Sequence, residues 1–167
     1  LTQAAAKSPH VVQVGTQQRS DWRFQAAGDL VRNGRLGPIR RVDVSLPIGS
    51  LPPTSFGGPF PEETPPATLD WNLWLGQAPE APFAKQRFDP FRWWFEYSGG
   101  FMTDWGAHHL DIVQWALGPR CIGPTRIEPH AELPHIANGY NTPRQFTVDL
   151  TYPDNVHVRV ETSATVN

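Results

Sequence analysis

The segment Gly99-Gly100-Phe101-Met102-Thr103-Asp104-Trp105-Gly106-Ala107-His108-His109-Leu110-Asp111 holds the densest set of reactive side chains in the sequence. On a helix turning about 100° per residue, Asp104, His108 and Asp111 fall on one stripe, and Trp115 continues it. Asp104 and His108 stand four apart, so their side chains can meet. A carboxylate beside an imidazole fixes its tautomer and raises the basicity of the other ring nitrogen. That is what a general base needs to take a proton from a hydroxyl group. The plainer alternative is a structural ion pair. His109 lies on the apolar arc with Trp105 and Ile112, where a packed histidine is expected. Asp111 is expected to support His108 or bond backbone.

The same cluster contains ligand types for a divalent ion. The angles oppose that use, because His109 points about 100° away from His108 on an ideal helix. No His-x-x-x-His or Glu-x-x-His pattern is present, and no metal ligand is assigned.

The elements that would hold this stripe can be read from periodicity. A helix is expected from about Gly100 to Leu117, stopped by Gly118-Pro119. His10 to Thr16, with Val11, Val12 and Val14, reads as a buried strand after a frayed helix ended by Pro9. A helix starts near Ser20 and stops at Gly34, with Phe24, Ala27, Leu30 and Val31 on one face. Ile39 to Leu46 alternates as a half-buried strand. Pro47 to Pro66 reads as loop, Thr68 to Leu75 as a short helix, and Ala78 to Asp89 as loop again. Thr125 to Glu128 is a candidate strand. Gln145–Tyr152 and Val156–Val160 alternate across Pro153-Asp154-Asn155, the pattern of an antiparallel hairpin. The expected fold class is α+β: an open, mostly antiparallel sheet with helices on one face, preceded by the last helix and strand of an α/β unit.

Bulk properties narrow the function classes. The 167 residues are 39% hydrophobic with a formal net charge of −2. No basic surplus exists to neutralise phosphates, so nucleic acid is not an expected partner, and neither is a membrane surface. The single cysteine, Cys121, excludes a disulfide framework and reads as a small hydrophobe. Eighteen prolines, clustered between Pro47 and Pro90, make that stretch loop-rich. Among the seven tryptophans, Trp71, Trp74, Trp93 and Trp94 could form an aromatic surface over a pocket, with core or interface packing the plainer expectation.

The pattern Gly99-Gly100-x-x-x-Asp104-x-x-x-His108-x-x-Asp111 resembles a motif of the Gfo/Idh/MocA oxidoreductases. Val11 to Ser20 resembles that family's crossing from its Rossmann domain into the second domain. Leu30 to Ile39 resembles the first helix and strand of the second domain. Leu69 to Gly76 and Trp105 to Gly118 resemble a tryptophan-rich bacterial subgroup. The resemblance implies residues 1–19 as the remnant of a dinucleotide-binding domain. It makes residues 20–167 a substrate-binding and oligomerisation domain, truncated at its end. It implies NAD or NADP as cofactor, a sugar or polyol substrate, and a homo-oligomer formed through the sheet. It assigns His108 as catalytic base with Asp104 as its partner, Gln17 and Gln18 to the cofactor, and Gln18, Arg19, Asp111 and Trp105 to the substrate. The family's G-x-G-x-x-G loop and its Glu-Lys-Pro motif are absent, so this polypeptide by itself is expected neither to hold a dinucleotide nor to turn over. Two other functions stay open at this point: a non-catalytic binding or oligomerisation module of the same fold, and a metal-dependent hydrolase using the Asp/His cluster. The residues do not choose between a cytoplasmic and a periplasmic location.

Overall fold

In a computed structural model, residues 2–47, 57–119 and 121–163 are described. The expected loop 47–66 therefore lies partly outside them. Four strands form one sheet: β1 (Arg41–Pro47), β2 (Arg126–Ala131), β3 (Phe146–Thr151) and β4 (His157–Ser163). The order is β1-β4-β3-β2. β2 with β3 and β3 with β4 run antiparallel, while β1 joins β4 in parallel. The hairpin expected from the alternation of residues 145–160 is present. Its turn is a 3₁₀ segment, Pro153–Asn155, in which Asp154 and Asn155 adopt positive φ of 60° and 54°. Short polar side chains tolerate that region better than others.

Alternation gives the sheet two unlike faces. Val44 and Leu46 of β1, Val158 and Val160 of β4, and Phe146, Val148 and Leu150 of β3 are buried on one side. The opposite side carries Arg41 and Asp43, Arg159 and Glu161, and Asp149, joined by ion pairs such as Arg41–Asp43 at 2.8 Å. β2 is an edge strand, mostly exposed, and Pro129 suits it because an edge residue need not donate to a ladder.

The described helices are α1 (Thr2–Ala6), α2 (Trp22–Arg32), α3 (Trp71–Leu75), α4 (Lys85–Phe88), α5 (Gly100–Thr103) and α6 (Trp105–Leu117), and α6 lies against β1 on the apolar side. Met102, Leu110, Val113 and Leu117 pack on the buried sheet residues together with Trp93, Trp94, Phe101 and Cys121. Gly106 permits the close approach of α6 to β1: a Cβ there would sit 3.5 Å from Leu46 Cδ1 and 3.2 Å from Met102 Sδ.

Three expectations are corrected. Residues 10–16 form no strand; Val11, Val12 and Val14 are exposed, because no described strand lies alongside them. The helix expected over 100–117 is broken at Asp104, where φ −90° and ψ −95° leave the helical region. The helix expected to start at Ser20 is capped by Asp21, whose carboxylate accepts from the Arg23 amide at 2.9 Å. Arg23 and that amide together hold the Asp21 carboxyl down at about 2. Only part of the expected α2 face is covered, since Ala27 and Leu30 remain exposed.

Candidate active site

Gly100 begins the site. Its φ of +64° turns the chain into α5, and a Cβ there would meet the buried Thr142 Oγ1 at 2.7 Å. The close neighbour of the glycine pair is thus the chain itself. Thr103 secures the same turn by accepting from the Gly99 amide at 2.8 Å. The backbone then bends at Asp104 and restarts as α6, which carries His108 and Asp111.

The bend separates the roles that the i, i+4 spacing had joined. Asp104 accepts a 2.6 Å bond from the Arg92 guanidinium, which comes from the 3₁₀ segment Phe91–Trp93. Arg92 was not anticipated, because a lone arginine in an aromatic run gives no spacing signal. His108 meets Gln17 instead: the Gln17 amide nitrogen lies 3.5 Å from His108 Nδ1. Gln17 opens a 3₁₀ turn, Gln17–Ser20, that is fixed to α6 by a two-pronged ion pair. Arg19 Nε and Nη2 donate to the two Asp111 oxygens at 2.8 and 2.6 Å. This partner raises the Arg19 pKa, and the paired geometry supplies direction as well as energy. Arg19 also lies 5.5 Å from the Trp115 ring, whose surroundings include Arg32 at 4.6 Å.

Asp104, His108, Asp111 and Gln18 line one cavity of about 240 Å³, closed on its other side by Val14, Gly15 and Thr16. Gln18 Oε1 is buried there with no hydrogen-bond partner. A buried amide oxygen left unpaired is costly, so this atom suits a ligand that brings an N–H or O–H group. Trp105, expected at the substrate, does not line this cavity and is exposed; its ring lies 5.7 Å from His109 and 6.3 Å from His108. His109 is shifted to lower pKa, first by burial and then by the neighbouring His108. Among the described residues no group of three or more His, Cys, Asp or Glu is placed to hold a metal ion. No described helix is long and apolar enough to cross a membrane.

The tryptophans divide by location. Trp93 and Trp94 are core residues, and Trp94 Nε1 donates to the Gln86 carbonyl at 2.8 Å. Trp71 and Trp74 stack on each other at 4.8 Å, with Phe83 edge-on to Trp71. Their contacts are packing contacts within the chain.

Solved structures share this fold. The WlbA dehydrogenase of Chromobacterium violaceum, determined in complex with NADH and UDP-GlcNAcA, matches 99% of the chain with a TM-score of 0.62 at 16% identity. An NAD-binding protein from Listeria innocua matches 98% with a TM-score of 0.54 at 15% identity. The chain spans 37% and 36% of those two proteins. No curated protein matches it in sequence. The sequence model of the oxidoreductase family C-terminal alpha/beta domain, of the Gfo/Idh/MocA type, matches residues 26–165. With its mixed sheet and a helix that carries His108 and Asp111 behind the bend at Asp104, the chain belongs to the Gfo/Idh/MocA oxidoreductase family.

Proposed function

We propose that this chain is the substrate-side part of an NAD(P)-dependent oxidoreductase that oxidises a hydroxyl of a sugar, polyol or related derivative, with His108 as general base. The observation that carries the reading is the cavity in which His108 and Asp111 of α6, with Asp104 at the bend before it, line the same space as Gly15 and Gln18 of the incoming segment. Residues 1–19 belong, in this reading, to a dinucleotide-binding domain, and residues 20–167 to the substrate domain.

His108 removes the hydroxyl proton through Nε2, the ring nitrogen turned away from Gln17. Asp104, already neutralised by Arg92, lines the cavity beside it and offers a carboxylate edge to a second hydroxyl. The unpaired Gln18 Oε1 accepts a hydrogen bond from the substrate or from the carboxamide of the cofactor. Gln17 stands next to the same opening. Arg19 and Asp111 satisfy each other, and their part is to hold the 17–20 turn on α6. A bound nicotinamide supplies the acceptor for the hydride that leaves the carbinol carbon. The orphaned amide oxygen and the glycine backbone fit the nicotinamide end of such a cofactor, whereas no glycine-rich loop is present to cradle its phosphates. The charged, uncovered sheet face, with its Arg and acidic residues interleaved, is the surface proposed for a second copy of the chain.

The test joins the chain to its dinucleotide-binding domain and follows nicotinamide reduction with a panel of sugars, polyols and sugar acids. His108→Ala is expected to lower turnover by roughly 10²–10⁴-fold, the usual worth of a positioned base, with dinucleotide affinity nearly unchanged. Equal turnover in the variant rejects His108 as the base.

A further inference from the structure

We propose that Gln17, and not Asp104, is the residue that positions the His108 imidazole. The proposal rests on the reading of His108 as the base and names the group that orients it.

Asp104 has the expected spacing but not the expected geometry. The helix breaks at its own backbone, and its carboxylate is engaged by Arg92 at 2.6 Å. Gln17 is the side-chain hydrogen-bond partner of His108 among the described residues, with 3.5 Å between the amide nitrogen and Nδ1. Its position is not left to chance. The turn that begins with Gln17 is closed by the Arg19 amide donating to the Thr16 carbonyl at 3.1 Å. Two residues on, Arg19 is bonded through two atoms to Asp111, three residues after His108 on the same helix. The ion pair therefore pins Gln17 over the imidazole.

An amide suits this task for a reason that a carboxylate does not share. Its nitrogen donates to an unprotonated Nδ1, and its oxygen accepts from a protonated one; a half-turn of the amide exchanges the two. Nε2 can take the hydroxyl proton only when Nδ1 already carries one, so in the base-competent tautomer the Gln17 amide is turned with Oε1 accepting from Nδ1–H, and that bond persists when the ring becomes doubly protonated. The ring is held in either state with no fixed charge beside it. Among the described residues the carboxylates beside the imidazole are already paired, Asp104 with Arg92 and Asp111 with Arg19, and His109 is a further titratable neighbour.

Ring-nitrogen chemical shifts of His108 decide the matter. They can be measured by NMR on the chain without substrate or dinucleotide and assigned by the loss of signal in His108→Gln. Gln17→Leu is expected to move the tautomer ratio. Gln17→Glu, which keeps the side-chain shape, is expected to raise the His108 pKa by about 1 pH unit or more, as an added carboxylate does at this range. Asp104→Asn is expected to leave the ring signals where they are. Unchanged signals in both Gln17 variants, or a larger movement in Asp104→Asn, overturn the proposal. Because no turnover enters this measurement, it can fail while His108→Ala still abolishes activity, and the reverse also holds.

Discussion

Two valine-rich stretches of this chain meet opposite fates. Val148, Val158 and Val160 lie in a sheet and are almost fully buried, the last at 0% exposure. Val11, Val12 and Val14 lie outside any strand and stand 96%, 58% and 74% exposed. The residue type is the same, and so is the β-branched preference for extended backbone. What differs is the partner: β4 lies between β1 and β3, while residues 10–16 have no described strand beside them. The pattern of a strand thus reports a local preference, and burial reports whether another element arrives to share it. The N-terminal stretch is held instead at a few polar points, Gln17 on His108 and Arg19 on Asp111, both at the cavity.

This contrast can be broken at its strong side first. Gly100→Ala places a side chain at φ +64° against buried Thr142. It is expected to cost roughly 2–5 kcal/mol, the sum of left-handed strain and overpacking, in urea denaturation. A cost below about 0.5 kcal/mol would show that the turn into α5 yields easily. The next test compares the two valine sets directly. Val160→Ala is expected to cost roughly 2–3 kcal/mol, whereas Val12→Ala stays within about 0.5 kcal/mol by the same denaturation. Equal costs would mean that residues 10–16 are packed in solution. The gentlest test uses pH at the seam between the regions. His109 has a folded pKa below its ordinary 6.5, from burial and from His108. The unfolded chain therefore binds the proton more readily. The contribution of neutral His109 is fully present above that ordinary value and is lost as pH falls from it toward the folded value. Thermal melts should show the midpoint falling across this window, with a shallower fall in His109→Gln. Parallel falls in both proteins would assign the effect to other groups.

The sequence was a better guide to elements than to their partners. The hairpin of β3 and β4 follows from Phe146, Val148, Leu150 and Val156, Val158, Val160 on either side of Pro153-Asp154-Asn155. α6 follows from its apolar stripe and the Gly118-Pro119 stop. The parallel pairing of β1 with β4 was not legible, because it joins residues more than a hundred positions apart and leaves no local trace. The break at Asp104 was not legible either, since neither proline nor glycine stands at that position. In the site, the helix registers of His108 and Asp111 were readable from spacing alone. Their partners, Gln17 and Arg19, lie 91 and 92 residues away, and Arg92 reaches Asp104 from the 3₁₀ segment Phe91–Trp93. Periodicity speaks for one element at a time, whereas this cavity is assembled from three.

The central claim concerns one atom, the Nε2 nitrogen of His108. A crystal structure of the chain joined to a dinucleotide-binding domain, with reduced dinucleotide and a bound sugar, would show its surroundings directly. Nε2 is expected within about 3.2 Å of the substrate hydroxyl whose carbon faces the nicotinamide. A substrate hydroxyl that bonds some other side chain, with His108 more than one water molecule away, would contradict the account.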